Sequence, residues 1–375
     1  MLILILLGGA ALLYLIQRIL YKKFWNRGLD LSVRFDQRSV TEGGEGTLTE
    51  VLTNRSFLPL PFVHAKFMVG NGLVFMEKDN IKTSDQNYKN DIFSILFYQR
   101  ITRRLPFTCE KRGYYTVDSA DIVTSDLFYS IRMVAPFPQS AALYVYPKHA
   151  DISDLEQPLR KIIGEMTART YVYPDPFEFK GLRDYTISDP MNTINWKATA
   201  RTGSLTVNTF NSTTQKRVVL LLDVEDETLI HHWRLHEESI RIAAALAYRF
   251  LSEGTPVRIV TNGKDCETQK TVPVLSANGP AEIEDVYRTL ARIDINQNPE
   301  EFYPLIRREM EDPSFRTTGY ILIASCMKKE LTDAMTDLAT EAASLYIAPL
   351  HQNMPSRFEG SEMLPVFRRE VEGRA

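Results

Sequence analysis

The 375-residue sequence has few cysteines. Its three, Cys109, Cys266 and Cys326, are odd in number and far apart. That excludes the paired framework of a small secreted domain and fits a reducing compartment. An excess of one charge is also lacking: 44 basic residues face 47 acidic ones, for a formal net charge of -3. Nothing in that balance supplies the concentrated positive patch that nucleic-acid binding needs, so no nucleic acid is expected as a partner. The sequence shows no G-x-G-x-x-G, P-loop, G-x-S-x-G or H-E-x-x-H pattern and no Cys/His nucleophile pattern. No enzyme class is therefore called for by motif, and no cofactor beyond a divalent cation at an acidic loop described below.

Long hydrophobic runs are missing everywhere except at the start. Met1 to Ile16 carries no charge, and Ile19, Leu20 and Tyr21 extend the apolar stretch past Gln17 and Arg18. A helix needs about 20 mostly apolar residues to cross the hydrocarbon core, and Arg18 can snorkel to lengthen the usable span. A cleaved signal peptide would start with a basic region and end in small residues. Here basic and aromatic residues follow the run instead. Residues 1–21 are thus expected to be a transmembrane anchor in the lipid bilayer. Arg18, Lys22, Lys23 and Arg27 all lie on its C-terminal side, so the positive-inside rule places the following domains in the cytoplasm of a single-pass protein. Tyr21, Phe24 and Trp25 are expected to form the interfacial aromatic belt.

Residues 29–147 read as an antiparallel β-sandwich domain. Leu31, Val33 and Phe35 alternate with polar residues at the period of a half-buried strand. Strands are expected at Leu48–Thr53, Phe62–Met68 and Ile92–Ile101, and at Tyr114–Val117 after the Arg112-Gly113 break. Asn71-Gly72 between two apolar triplets is a hairpin signal. His64 fits a core or edge position better than a ligand.

Residues 148–214 form a connecting segment with one distinctive block. Asp189 is expected to cap a helix over about 190–202, with Pro190 in its first position, Met191, Ile194 and Ala198 on its buried face, and Gly203 as its C-cap. Arg183, Asp189, Trp196, Lys197 and Arg201 make this block a partner-binding or domain-docking surface. In one reading Trp196 packs and the charges pair. In the other the cations recognise an acidic partner.

Residues 215–352 alternate strands and helices, as in a mostly parallel, doubly wound α/β sheet, and 353–375 form a C-terminal tail. Arg217–Leu222 reads as a strand covered on both faces. In such sheets ligands bind beyond the carboxyl ends of the strands. Asp223 sits there, followed by Glu225, Asp226 and Glu227. Asp223, Glu225 and Glu227 are candidate ligands for Mg2+ or another divalent cation; a solvated acidic loop is the competing reading. His231, His232 and His236 include an i, i+4 pair that resembles half a zinc site, but there is no H-E-x-x-H and no nearby cysteine ligand.

The central block resembles the bacterial family of domain of unknown function 58 through Gly181-Leu182-Arg183, Asp189, Ile194, Trp196-Lys197 and Ala200-Arg201. Lys111-Arg112-Gly113-Tyr114 and Thr124-Ser125-Asp126-Leu127-Phe128 are similar to its basic-Gly-aromatic turn and later Asp-Pro-Phe segment, with Leu127 in place of the proline. The resemblance implies N-terminal membrane segments, a β-sandwich region and a von Willebrand factor A-like domain. It also implies an adaptor role beside a MoxR-type AAA+ ATPase. The sequence departs from the family in showing one span where two are common. Asp223-Val224-Glu225-Asp226-Glu227 stands where A-type domains have Asp-x-Ser-x-Ser, Ser325-Cys326 follows Ala324 where an aspartate is usual, and Asn192 stands where a basic residue is frequent. The leading expectation is a membrane-anchored, non-enzymatic adaptor or scaffold. A metal-dependent enzyme using the acidic loop and a structural cell-envelope component are the alternatives.

Overall fold

The computed structural model describes the chain except for residues 1, 77–80, 83–85, 173–178, 188, 211–216, 228–229, 352–363 and 372–375. Parts of the expected connecting segment and tail lie outside the described residues. The chain divides into two compact units, Met1–Lys148 and His149–Ala375.

The first unit begins with helix α1 (Leu2–Phe24). Within Ile3–Phe24, an 18-residue stretch has a mean hydropathy of 2.1 and none of that stretch is buried in the protein, which is compatible with a single-pass membrane anchor. Ten strands follow: β1 (Leu29–Phe35), β2 (Ser39–Thr41), β3 (Glu45–Asn54), β4 (Leu60–Gly70), β5 (Leu73–Phe75), β6 (Ile81–Lys82), β7 (Gln86–Ile95), β8 (Arg100–Cys109), β9 (Gly113–Ser125) and β10 (Arg132–Tyr146). They form a four-stranded sheet, β1-β3-β8-β5, and a six-stranded sheet, β2-β10-β9-β4-β7-β6. All pairings are antiparallel except β2 with β10. In β1 Leu29, Leu31 and Val33 point inward and their polar neighbours outward, as the pleat requires. Leu48, Leu105 and Phe107 of one sheet and Val63, Phe67, Ile122 and Leu143 of the other share one apolar core.

Three expectations fail in this unit. Asn71-Gly72 closes no hairpin, because β4 pairs with β7 and β9 whereas β5 pairs with β8 in the other sheet. Gly72 is needed for close approach: the Tyr115 hydroxyl fills the space a Cβ would take. The expected strand at Ile92–Ile101 is split between β7 and β8. The chain turns between them, with Tyr98 at φ 54° and the Leu96 amide donating to Gln99 Oε1 at 2.8 Å. Tyr21 and Trp25 form no lipid-facing belt. Both are buried in the sandwich core, and the Tyr21 hydroxyl donates to the Pro59 carbonyl at 2.6 Å. The C-terminal end of α1 is thus part of the folded unit.

A charged island sits among the strands and was not anticipated. Glu50 of β3 is fully buried, and Asp91 of β7 pairs with Arg103 of β8 at 2.9 Å and with Lys89 at 3.7 Å. Burial, then the neighbouring Asp91 charge, raises the Glu50 carboxyl to about 9.

The second unit contains α2 (Glu156–Val172), β11 (Phe179–Asp184), α3 (Trp196–Thr202), β12 (Thr206–Phe210), β13 (Val218–Leu222), α4 (Trp233–Ser252), β14 (Val257–Thr261), β15 (Lys264–Asp265), β16 (Leu275–Ala277), α5 (Ile283–Arg292), β17 (Ile293–Asp294), α6 (Tyr303–Met310), β18 (Gly319–Ile323), α7 (Lys329–Glu341), β19 (Ala343–His351) and β20 (Val366–Val371). The main sheet has the order β16-β14-β13-β18-β19-β20, and only the β14–β16 pairing is antiparallel. Alternate residues of the wholly buried β13 face opposite layers. Val218, Leu220 and Leu222 join a core with α2, α4 and α5, while Val219 and Leu221 join one with α6 and α7. Helices therefore cover both faces, the doubly wound arrangement. Two unforeseen elements carry the unit beyond its expected bounds of 215–352. α2 lies in the expected connecting segment and docks through Leu159, Ile162 and Met166. β20 lies in the expected tail and extends the sheet.

Candidate functional site

Two places carry the residues singled out from the sequence. The first is the small module of β11, β12 and α3. β11 and β12 pair antiparallel, and Ile194 bridges to Val207. Asp189 does not cap the helix. A short 3-10 turn, Met191–Thr193, intervenes, and the cap is Asn195, whose side chain accepts from the Ala198 amide at 2.9 Å. Gly203 closes the helix in the left-handed region at φ 75°, as expected. Asp189 is used differently. Its carboxylate takes both terminal nitrogens of Arg183, at 2.7 and 2.5 Å, and the amide and hydroxyl of Thr186, each at 2.8 Å. The Arg183 bond, then those from Thr186, hold the Asp189 carboxyl well below the usual carboxylate range. Arg183 is thereby committed to an internal, bidentate contact.

The inner side of α3 is fastened by its own strand. Asn195 Nδ2 donates to Asn208 Oδ1 at 2.8 Å, and Thr206 N donates to Thr199 Oγ1 at 3.1 Å. The outer side carries Trp196, Lys197, Ala200 and Arg201, all exposed. Trp196 is 63% exposed and makes no core contact among the described residues of its own unit. Met191, expected on the buried face, is also exposed.

The second place is the carboxyl end of the main sheet. β13 lies between β14 and β18, so the strand order reverses at its tip. Asp223 follows directly and is fully buried. Its Oδ1 accepts from the Glu225 amide at 2.9 Å and from Asn262 Nδ2 at 2.7 Å, while Oδ2 has no partner among the described residues. Burial raises the Asp223 carboxyl to about 7 against the lowering pull of those two bonds. Glu225 pairs with Lys328. Asp226 turns away to meet His231 Nδ1 at 2.7 Å and His236 Nε2 at 2.9 Å. Burial pushes its carboxyl up, but the His236 and His231 bonds outweigh this and hold it at about 2.

The acidic run is therefore divided. Asp223, Glu225 and Cys326 make one group of neighbouring ligand atoms, and Asp226, His231 and His236 another; Glu227 belongs to neither. A cleft of about 500 Å³ lies beside them, lined by Val224, Glu225, Asp226, His231 and residues 295–299. Asn262 and Lys328 were not picked out from the sequence. Their signal was positional: Asn262 follows β14 and Lys328 lies shortly after β18, the two strands flanking β13.

These two places lie in one stretch of chain that can be compared with known families. Residues 181–355 match the family model described as "Protein of unknown function DUF58". The DUF58 match begins at β11 and takes in α3, the acidic loop and the sheet through β19. No curated protein matches the chain. Among solved structures, the CARDB domain of the PF1109 protein from Pyrococcus furiosus is 15% identical, covering 31% of this chain and 90% of that one, at a TM-score of 0.20. A cohesin module from a Clostridium perfringens family 33 glycoside hydrolase is 5% identical, covering 30% and 97%, at 0.21. The sporulation control protein Spo0M from Bacillus subtilis is 10% identical, covering 42% and 58%, at 0.19. TM-scores this low carry no information on function.

Proposed function

We propose that this protein is a membrane-anchored, cytoplasm-facing adaptor that binds a protein partner through the outer side of α3 and has no catalytic activity of its own. The supporting observation is the composition of that helix face. Trp196 is exposed, and among the described residues neither the Lys197 nor the Arg201 side chain has a hydrogen-bond or ion-pair partner. Tryptophan and arginine dominate binding hot spots, and two cations beside an indole suit an acidic surface. The α/β unit is read as von Willebrand factor A-like, from its central parallel strands and two-sided helix cover. The resemblance of the DUF58 block implies the partner, a MoxR-type AAA+ ATPase.

The acidic loop suits a hard divalent cation poorly. The Lys328 ammonium already neutralises Glu225, and the bond to Glu225 raises the lysine's pKa above its ordinary value. Cys326 is a buried thiol that desolvation raises to about 12, far from the thiolate a metal or a nucleophilic step requires. An internal ammonium in the place of an ion supports a binding rather than a metal-hydrolase reading.

Affinity capture of the full-length protein from detergent-solubilised membranes tests the proposal. An AAA+ ATPase should be recovered with the wild type and be at least tenfold depleted with Trp196→Ala/Arg201→Glu. Equal recovery with both, or no ATPase with either, would contradict it.

A further inference from the structure

The end of the sandwich nearest α1 differs in character from the far end. Strand register places three connecting loops beside the start of β1. Leu29 pairs with Asn54, Thr53 with Arg100, Leu60 with Ile95, and Val63 with Thr124. The β3–β4, β7–β8 and β9–β10 loops therefore share that end. They expose Phe57, then Phe97 and Tyr98, then Leu127, Phe128 and Tyr129. At the far end the described loops include Glu42-Gly43-Gly44, Asn71-Gly72 and Glu110-Lys111-Arg112, joined to one another by Gly43 N to Cys109 O and Glu110 N to Gly72 O.

One of the apolar loops touches the anchor helix within its apolar stretch. The Phe128 ring lies 5.8 Å from that of Tyr14, and Gln17 Nε2 donates to Asp126 Oδ2 at 2.6 Å. Tyr14 precedes Arg18, the first charged residue of the helix, by four positions, about 6 Å along the axis. Leu12, Leu13, Leu15 and Ile16 of the same turns are exposed, as residues of a lipid-facing span are. Phe128, 65% exposed, thus stands on the lipid side of the cationic border. Its loop is built for such a place, because backbone groups near the bilayer core need internal partners. Asp126 is fully buried and accepts from Ser130 N at 2.6 Å, Ser130 Oγ at 2.5 Å and Ile131 N at 3.2 Å, and its carbonyl accepts from Tyr129 N at 3.1 Å. Phe62 supports Tyr129 with ring centroids 4.7 Å apart.

We propose that Leu127–Tyr129 is a membrane-inserting loop that, with the two neighbouring loops, seats the sandwich unit on the bilayer beside α1. The inference rests on the reading of α1 as a membrane anchor. Aromatic and aliphatic tips enter the boundary between headgroups and acyl chains, to a depth of about 5–10 Å. Arg55, Arg100 and Arg132, which flank the three loops in sequence, face anionic headgroups.

Environment-sensitive fluorophores on single introduced cysteines, in full-length protein reconstituted into liposomes, test this. The background is Cys266→Ser, since Cys109 and Cys326 are buried. Labels are placed at Phe128→Cys, at Glu110→Cys on the far end and at Leu6→Cys in the anchor. The Phe128 label should be blue-shifted and quenched severalfold by lipids carrying a nitroxide high on the acyl chain, and the Glu110 label should not. A Phe128 label that behaves like the Glu110 label, while the Leu6 label is quenched, overturns the loop and leaves the anchor standing. A blue shift without lipid quenching points to a protein neighbour and also overturns it. An unquenched Leu6 label removes the anchor and the proposal together.

Discussion

The Lys328 ammonium rests on the Glu225 carboxylate at the point where the strand order of the parallel sheet reverses. This pair joins the ends of β18 and β13, and it leaves Asp223 held by Asn262 alone among side chains. Replacing Lys328 by Met should lower the stability of the second unit by about 1 kcal/mol, since the lysine is partly exposed and water screens the pair. Thermal unfolding of the full-length protein reads this. Calorimetric titration of the wild type with millimolar magnesium or manganese should give no binding heat, and heat there would contradict the reading of a crevice neutralised by its own lysine.

The buried Glu50 makes the first unit sensitive to alkali. Its folded pKa of about 9 lies above its ordinary value of 4.5, so the native state keeps a proton that the unfolded chain releases. Its contribution is fully present below pH 4.5 and is lost as pH rises through about 9. Amide exchange in β3 should accelerate between pH 6 and 9 beyond the intrinsic rate, and Glu50→Gln should remove that excess. Identical pH dependence in the two proteins would contradict the assignment.

Helix α3 should depend on Asn195 and not on Asp189. Losing an N-cap costs about 1 kcal/mol, so Asn195→Ala should raise exchange in the peptide covering Trp196–Thr202. Asp189→Ala should instead release Arg183 and the Thr186 turn while the helix amides stay protected. The opposite pattern would restore the cap expected from sequence.

Much of the second unit was legible because its signals are local. β13, β18 and β19 are apolar runs that need cover on both faces, and α4 and α7 show a clear helical period. The long apolar leader was equally plain. What failed depended on partners distant in sequence. Asn71-Gly72 has the composition of a hairpin turn, yet the strands on either side belong to different sheets. Tyr21 and Trp25 look like interfacial aromatics until the Pro59 carbonyl and the sandwich core claim them. Asp189-Pro190 is a good helix start in isolation, but the bidentate contact with Arg183 takes the carboxylate, and Asn195 is available five residues on. For the candidate site, sequence alone found Asp223, Glu225, Trp196, Lys197 and Arg201. It could not show that Asp226 pairs with histidines rather than with its acidic neighbours, or that Lys328 reaches Glu225 from the loop between β18 and α7.

Site-specific photocrosslinking in intact membranes tests the adaptor claim most directly. A photoreactive phenylalanine analogue in place of Trp196 should form an adduct with an AAA+ ATPase, and the same analogue at Arg288, on the exposed side of α5, should not. An adduct confined to this chain itself, or one that forms equally at both positions, would contradict the assignment of the α3 face as the binding surface.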